Sequence, residues 1–213
     1  MLIKEFCAEN FTLIPQAIAS GVQRIELCDN LTVGGTTVSN GVLVETVAYC
    51  HEHDVAVMAI IRPRGGDFVY HDTELKMMEL DILHAKTLGA DGIVLGCLTS
   101  DGELDEEALD ILLAAANGLQ VTFHMAFDLL KPTEQFAAID WLVSRGVERI
   151  LTHGGLAGTP IETNFAHLEK LIAYSDGRII ILPGGGITFE NAEVVSQRLN
   201  INEVHGTKIV ALS

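Results

Sequence analysis

GVQRIEL, at residues 21–27, is a junction that recurs as GADGIVL at 89–95 and as GVERILT at 146–152. Each version begins with a glycine, passes through a short turn and ends in an apolar run suited to a β-strand. Glycine adopts the left-handed backbone conformation without strain, so it commonly stands just past the last turn of a helix. The three junctions therefore predict a fold in which helices lead directly into strands.

Periodicity extends this pattern along the whole chain. The predicted strands are residues 2–8, 24–29, 55–62, 92–97, 120–127, 149–153, 178–183 and 202–209. The predicted helices are residues 11–20, 40–52, 72–88, 104–116, 132–145, 164–175 and 188–198. Eight strands in strict alternation with helices predict a TIM-type (β/α)8 barrel, with a doubly wound open sheet as the alternative. Because the sequence stops at Ser213, we expect no eighth helix and an incomplete outer helical ring.

Composition narrows the class of protein. The 213 residues carry no linker-like or low-complexity segment, so residues 1–213 predict a single α/β-barrel domain. With 29 acidic against 13 basic residues, the formal net charge is -16, which disfavours nucleic acid and anionic membranes as partners. No signal-peptide pattern or membrane span is evident, and four cysteines are too few for a disulfide framework. These features predict a cytoplasmic protein.

Strand alternation assigns the two faces of the barrel wall. In RIELC, the apolar Ile25 and Leu27 suit the outer face beneath the helices, which turns Glu26 and Cys28 toward the interior. In the fifth strand, Met125 is expected to point outward with its phenylalanine neighbours. The polar or ionisable residues predicted to face inward are Glu5, Glu26, Arg62, His124, Asp128 and His205.

Two interpretations of this polar interior stay open. Its members could satisfy one another as buried ion pairs, or they could form a site at the carboxyl ends of the strands, where barrel active sites lie. As a site, Glu26, Arg62, His124 and Asp128 would serve isomerase- or lyase-like acid–base catalysis on a small anionic metabolite, either phosphorylated or not. In that hypothesis Arg62 holds the anion, and His124 changes its charge near neutral pH.

Cys7 and Cys28 stand on neighbouring predicted strands and are candidate metal ligands. Thiolates select soft ions such as Cu(I), or Zn(II). The stagger between barrel strands could keep the two sulfurs apart, and an inward cysteine can also be a small core residue. The cysteines alone therefore leave a metal site and a packed core as alternatives.

The glycine-rich segments after the seventh and eighth strands form a candidate anion site. Gly184, Gly185 and Gly186 follow the seventh strand, and Gly206 lies within the eighth. Their backbone N–H groups could surround a phosphate, since loops after these two strands often do so in barrels. The alternative is that the glycines only make a tight turn.

Six motifs in order give the chain a family resemblance. They are RIELCDNL (24–31), IRPRGGDFVY (61–70), GADGIVLGCL (89–98), FHMAFD (123–128), ILTHGG (150–155) and LPGGGI (182–187). Together they resemble the CutC copper-homeostasis family, over nearly the whole chain.

The resemblance implies a cytosolic barrel that handles copper, with Cu(I) as its ion and without an established reaction. It also implies that Cys7 and Cys28 are the Cu(I) ligands, and it leaves open whether the protein is an enzyme. Self-association as a homodimer or larger homo-oligomer is a separate expectation. It follows from an apolar stripe, including Ile209 and Val210, that a missing eighth helix would expose.

Overall fold

The computed structural model describes residues 2–155 and 157–212. Eight parallel strands form one sheet, in the order β7-β6-β5-β4-β3-β2-β1-β8, that curves into a barrel. They are β1 (Ile3–Glu9), β2 (Arg24–Cys28), β3 (Ala56–Ile60), β4 (Gly92–Leu95), β5 (Gln120–Phe123), β6 (Arg149–Thr152), β7 (Ile180–Pro183) and β8 (Glu203–Gly206). The predicted TIM-type barrel is confirmed.

Helices surround the sheet on its outer side. They are α1 (Ile14–Ala19), α2 (Asn40–His51), α3 (Asp72–Thr87), α4 (Glu106–Ala115), α5 (Gln135–Ser144), α6 (Phe165–Ser175) and α7 (Ala192–Leu199). No helix follows β8 within the described ranges, so the incomplete helical ring is also confirmed. None of the helices described is long and apolar enough to cross a membrane.

Local sequence signals fix where these helices begin and end. Ser39 accepts a hydrogen bond from the Val42 backbone N–H at 3.3 Å and caps α2. At helix ends, Gly21, Gly89 and Gly146 have φ angles of 87°, 87° and 75°, in the left-handed region that favours glycine. The three recurring junctions of the sequence are therefore helix ends that turn into β2, β4 and β6.

The main core lies between the sheet and the helices. Ile25 and Leu27 are fully buried there, as the alternation predicts. A second, smaller apolar cluster lies inside the barrel. It consists of Cys7, Cys28, Met58, Ile60 and Val94. The interior is therefore apolar around the two thiols and polar elsewhere.

The barrel closes between β7 and β8 without a strand ladder. Within residues 2–155 and 157–212, the two strands are linked by one isolated parallel bridge, between Thr188 and Lys208, just beyond their carboxyl ends. Every other neighbouring pair of strands is joined by a parallel ladder. We call this boundary the β7–β8 seam.

Two expectations were wrong. The fifth strand ends at Phe123, and a 3-10 turn over Met125–Leu129 follows it, so alternation does not place Met125 outward; Met125 lines the central cavity instead. The tail after β8 also folds back on the barrel. Ile209 and Val210 are buried within the chain, so they expose no apolar stripe and give no support to self-association, which stays a prediction.

Candidate functional site

A cavity of about 450 Å³ opens at the carboxyl ends of the strands. Volumes between about 300 and 1,000 Å³ are usual for small-molecule sites. Its polar lining includes Cys7, Glu26, Arg62, His124 and His205, from five different strands or strand ends. The polar interior predicted from alternation is therefore gathered around one space rather than spread through the core.

Three of these side chains form a compact donor group. A sulfur of Cys7, a carboxylate oxygen of Glu26 and a ring nitrogen of His205 all lie within 4.8 Å of one another. Strand register explains the grouping, because Cys7 lies level with Glu26 on β2, and His205 lies level with Glu5, two residues before Cys7. Side chains two apart on a strand point the same way.

The two predicted metal ligands, Cys7 and Cys28, come together, although their strands are staggered. Cys28 lies level with Glu9 rather than with Cys7. Its thiol nevertheless packs in the same apolar cluster as that of Cys7, and it donates a hydrogen bond to the Ala8 carbonyl oxygen at 3.4 Å. The thiols share the inner apolar cluster, with Glu26 and His205 beside Cys7.

The Cys7 thiol is held in its protonated form. Its hydrogen bond with Cys28, burial and the charge of Glu26 all raise the pKa of Cys7 well above its ordinary value of 9.0. Burial likewise raises the pKa of Glu26. Thiolate formation at this position therefore requires a compensating positive charge.

His205 lies between two carboxylates. It is hydrogen-bonded through Nδ1 to Glu5 Oε1 at 2.7 Å, and its Nε2 lies 3.6 Å from Glu26 Oε2. Burial lowers the pKa of His205, but the charge of Glu26 and the hydrogen bond to Glu5 outweigh it, so the net pKa is raised from 6.5. His205 was predicted to face inward, but its place beside Cys7 was not; the register of β1 and β8 creates it.

Below the cavity, charged side chains satisfy one another. Arg24 is paired with Glu5 and, at 2.6 Å, with Glu203, whose carboxylate also lies 3.2 Å from Arg149. Burial alone would raise the pKa of Glu5, but the charges of Arg24 and His205 and their hydrogen bonds lower it to about 2. The ion-pair interpretation therefore holds for this lower layer, and His205 extends it to Glu26 in the cavity lining.

Arg62 is buried at the cavity wall without an acidic partner among the described residues. Its Nη1 donates to the carbonyls of Val33 and Gly35 at 2.8 and 2.9 Å, and its Nη2 donates to that of Gly66 at 2.9 Å. Its Nε is buried and makes no hydrogen bond. The predicted inward placement is correct, and the guanidinium brings an uncompensated positive charge to the site.

His124 also lines the cavity, but it does not titrate near neutral pH, and that expectation was wrong. Burial and the neighbouring charge of Arg62 lower its pKa to about 3. Its Nδ1 accepts a hydrogen bond from the Ala126 N–H at 3.2 Å, so the proton of the neutral ring is on Nε2. The ring is a neutral donor in this environment rather than a base.

Asp128 stands apart from the other predicted catalytic residues. Its carboxylate accepts hydrogen bonds from Thr152 Oγ1 and from the N–H groups of His153, at 2.8 Å, and Gly154, at 3.2 Å. It does not line the 450 Å³ cavity but an adjoining one of about 150 Å³. Its contacts hold the loop after β6 in place.

The glycines predicted to form an anion site also divide into those that line the cavity and one that does not. Gly185 and Gly186, with φ angles of 78° and 80°, line the cavity together with Gly206. Gly184 does not line it, and its N–H donates to the Thr152 carbonyl at 3.0 Å. A Cβ on Gly206 would collide with the Ile187 carbonyl oxygen, so close backbone approach requires glycine there.

Comparison with known proteins places the chain in a family. A family model described as CutC family matches residues 2–210. A family protein CutC of Enterococcus faecalis is 68% identical over 209 residues, which cover 98% of this chain and 100% of that protein. The human copper homeostasis protein cutC homolog is 42% identical over 207 residues, which cover 95% of this chain and 72% of the human protein.

A solved structure agrees with these relatives. The crystal structure of a CutC protein from Streptococcus agalactiae superposes with a TM-score of 0.96 at 48% sequence identity. The superposition covers 99% of this chain and 100% of the other. The family match, the relatives and the structure agree over almost the full length, and the chain belongs to the CutC family.

Proposed function

We propose that this protein binds Cu(I) inside the barrel as part of copper homeostasis. The observation that carries the proposal is the compact group of Cys7, Glu26 and His205, with the Cys28 thiol against that of Cys7. Thiolates and imidazole are ligands that suit Cu(I), whereas hard divalent ions favour oxygen. We assign Cys7 and Cys28 as the principal ligands and His205 as the third.

The surroundings of the thiols fit a soft, monovalent ion. Met58, Ile60 and Val94 enclose the sulfurs in an apolar cluster, which disfavours a hydrated divalent cation. Binding must release the proton of Cys7, because metal binds the thiolate. Glu26 lies next to that sulfur, and its pKa is raised by burial, so we assign it as the acceptor of the released proton.

The biological context is part of the same proposal. The human relative is named a copper homeostasis protein. Four free, buried cysteines are typical of proteins in a reducing compartment, and we propose that the chain carries or buffers Cu(I) in the cytoplasm.

Competition for Cu(I) against a chelator of known affinity tests the ligand assignment. We expect the reduced wild type to compete and the Cys7→Ser, Cys28→Ser double variant to lose most of its affinity. Cys50→Ser is the matched control, since Cys50 is a buried free thiol in α2 and outside the cavity. Equal affinity in the double variant and the wild type would contradict the assignment.

A second candidate function is proton-transfer chemistry on a small anionic ligand. The observation that favours it is the size of the cavity, which exceeds the needs of a single ion, together with the uncompensated charge of Arg62. In this hypothesis Glu26 and His205 exchange protons with the ligand, and neutral His124 donates a hydrogen bond to it. A Glu26→Gln variant should then bind such a ligand while losing its turnover.

A further inference from the structure

Arg62 offers hydrogen-bond donors that the protein does not use. A guanidinium has five N–H donors, and backbone carbonyls of Val33, Gly35 and Gly66 take three of them. The Nε–H is among those left over, although the residue is only 4% exposed. A buried charge with neither a counter-ion nor full hydrogen bonding is costly, and a bound anion is one arrangement that would satisfy it.

His124 supplies a second unused donor close to the first. Its Nε2–H is buried and has no partner, because the Ala126 N–H occupies Nδ1 instead. Both groups lie against Phe68: the Arg62 Cζ lies 4.8 Å from its ring centre, and the His124 ring centre lies 4.6 Å from it. Both residues line the same cavity.

Backbone donors come from the segment after β7. The N–H groups of Gly185 and Gly186 make no hydrogen bond within residues 2–155 and 157–212, and both residues line the cavity. A Cβ on Gly186 would meet no atom within 4 Å, so Gly186 faces open space, whereas Gly185 packs against the His153 ring. Lys208, exposed at the same mouth, forms no ion pair within the described chain.

We propose that the mouth of the barrel binds a small organic phosphate, with its phosphoryl group held by Arg62, His124 and the Gly185–Gly186 turn. Unused donors from four residues outnumber what a two-oxygen carboxylate can accept, whereas a phosphate presents three strongly accepting oxygens. Apolar side chains such as Ile60, Phe68 and Leu151 line the same cavity and leave room for a carbon body. That body would face Cys7, Glu26 and His205.

The proposal deepens the second candidate function, because it names the ligand class on which Glu26 and His205 would act. Phosphate binding is nevertheless separable from catalysis and from copper. It requires no turnover, and its donors are not the proposed Cu(I) ligands. A protein that binds organic phosphate without transforming it would refute the proton-transfer hypothesis alone.

Calorimetric titration of the reduced, copper-free protein tests the phosphate site. The probes are inorganic phosphate, glycerol 3-phosphate, glycerol and acetate. We expect both phosphates to bind, glycerol 3-phosphate at least several-fold more tightly, with glycerol and acetate binding far more weakly or not at all. Failure of both phosphates to bind, or tighter binding of acetate, would overturn the proposal; equal affinity for the two phosphates would overturn its organic part.

His124→Asn is the decisive variant. An asparagine amide can still accept the Ala126 N–H bond, so the turn is preserved while the Nε2–H donor is removed. We expect affinity for glycerol 3-phosphate to fall about ten- to a hundredfold, as for one lost hydrogen bond to a charged group. His84→Asn on the exposed face of α3 is the matched control.

Two further variants separate the phosphate site from folding and from copper. Arg62→Lys keeps the charge but loses the guanidinium donors, and it should weaken phosphate binding; its circular dichroism spectrum must match the wild type for the comparison to count. Cys28→Ser, which removes a proposed Cu(I) ligand that does not line the cavity, should retain phosphate affinity. Wild-type affinity in His124→Asn and in folded Arg62→Lys would refute the assignment of these residues.

Discussion

Cys7 of β1 lies level with Glu26 of β2, so the barrel places a thiol beside a carboxylate rather than beside the corresponding cysteine. Cys28 lies one inward step further along β2, level with Glu9, and its thiol reaches back toward Cys7. The pair of thiols is thus in contact at the side of the cavity, while Glu26 and His205 border the open space. This relationship controls the protonation of the proposed Cu(I) site.

The affinity for Cu(I) should increase with pH. The pKa of Cys7 is raised, first by the hydrogen bond with Cys28, then by burial and then by the charge of Glu26, so each binding event must displace a proton. Cu(I) binding displaces the protons of both ligand thiols and Glu26 retains one of them, so one proton reaches solvent. We therefore expect an increase of about tenfold per pH unit, measured by chelator competition at several pH values.

Thiolate absorbance during a pH titration provides an independent measurement. Cys28→Ala should lower the pKa of Cys7, and Glu26→Gln should lower it by a smaller amount, since the hydrogen bond is the larger cause. Cys50→Ala, far from the cavity, leaves that titration step unchanged. An unaltered step in Cys28→Ala would contradict the contact between the two thiols.

Acid should destabilise the protein partly through His124. Its pKa falls from 6.5 in the unfolded chain to about 3 in the fold, so the unfolded state binds the extra proton between these values. The stability contributed by neutral His124 is therefore fully present above about pH 6.5, and it is lost as the pH falls toward 3. Urea unfolding of His124→Asn at stepped pH should show a shallower decrease in the unfolding free energy than the wild type, and an identical decrease would contradict this role of His124.

Arg24→Met should be strongly destabilising. Arg24 is 5% exposed and pairs with Glu5 and Glu203, so its loss leaves buried carboxylates without their main counter-charge. Removing one partner of a buried pair costs roughly 3–5 kcal/mol of unfolding free energy. Arg178→Met, which breaks the exposed pair with Asp140, is the control and should lower the unfolding free energy far less. Similar losses of unfolding free energy in the two variants would show that the buried ion pairs of Arg24 contribute no more to stability than an exposed pair.

Gly206→Ala should destabilise the barrel at its mouth. The added Cβ would collide with the Ile187 backbone carbonyl, which cannot rotate away as a side chain would. Overpacking of this kind costs roughly 1–3 kcal/mol, measurable by urea unfolding. Gly41→Ala in α2 has space around it and should be neutral or stabilising by up to about 1 kcal/mol. A stable Gly206→Ala protein would mean that β8 can move away from Ile187.

The fold was predictable because its signals are local. Glycine at helix ends and apolar residues on alternate strand positions, as at Gly89 and Ile25, depend on few neighbours. The prediction that the fifth strand extends to residue 127 was wrong for a physical reason. Phe123, Met125 and Phe127 alternate as in a strand, yet the Ala126 N–H bonds to the His124 ring and turns the chain into a 3-10 helix. Hydrogen bonds of this kind, between a side chain and the backbone, produce no periodic pattern in the sequence.

The site was predictable in content but not in arrangement. Inward-facing Cys7, Glu26, Arg62, His124 and His205 follow from alternation, and all line the cavity. Which of them meet depends on strand stagger, which a single sequence does not specify. The neutrality of His124 likewise depends on burial beside Arg62, a relationship between distant parts of the chain.

The β7–β8 seam makes the barrel a rolled sheet whose two edges meet without a ladder. Gly185 and Gly186 leave one edge, and Thr207 and Lys208 leave the other, all around the cavity. A molecule bound at this position would contact residues that follow both β7 and β8. Part of its binding energy would therefore stabilise the association of these two strands. We therefore expect a ligand that fills the mouth to slow amide hydrogen exchange in β7 and β8 more than in β3 or β4.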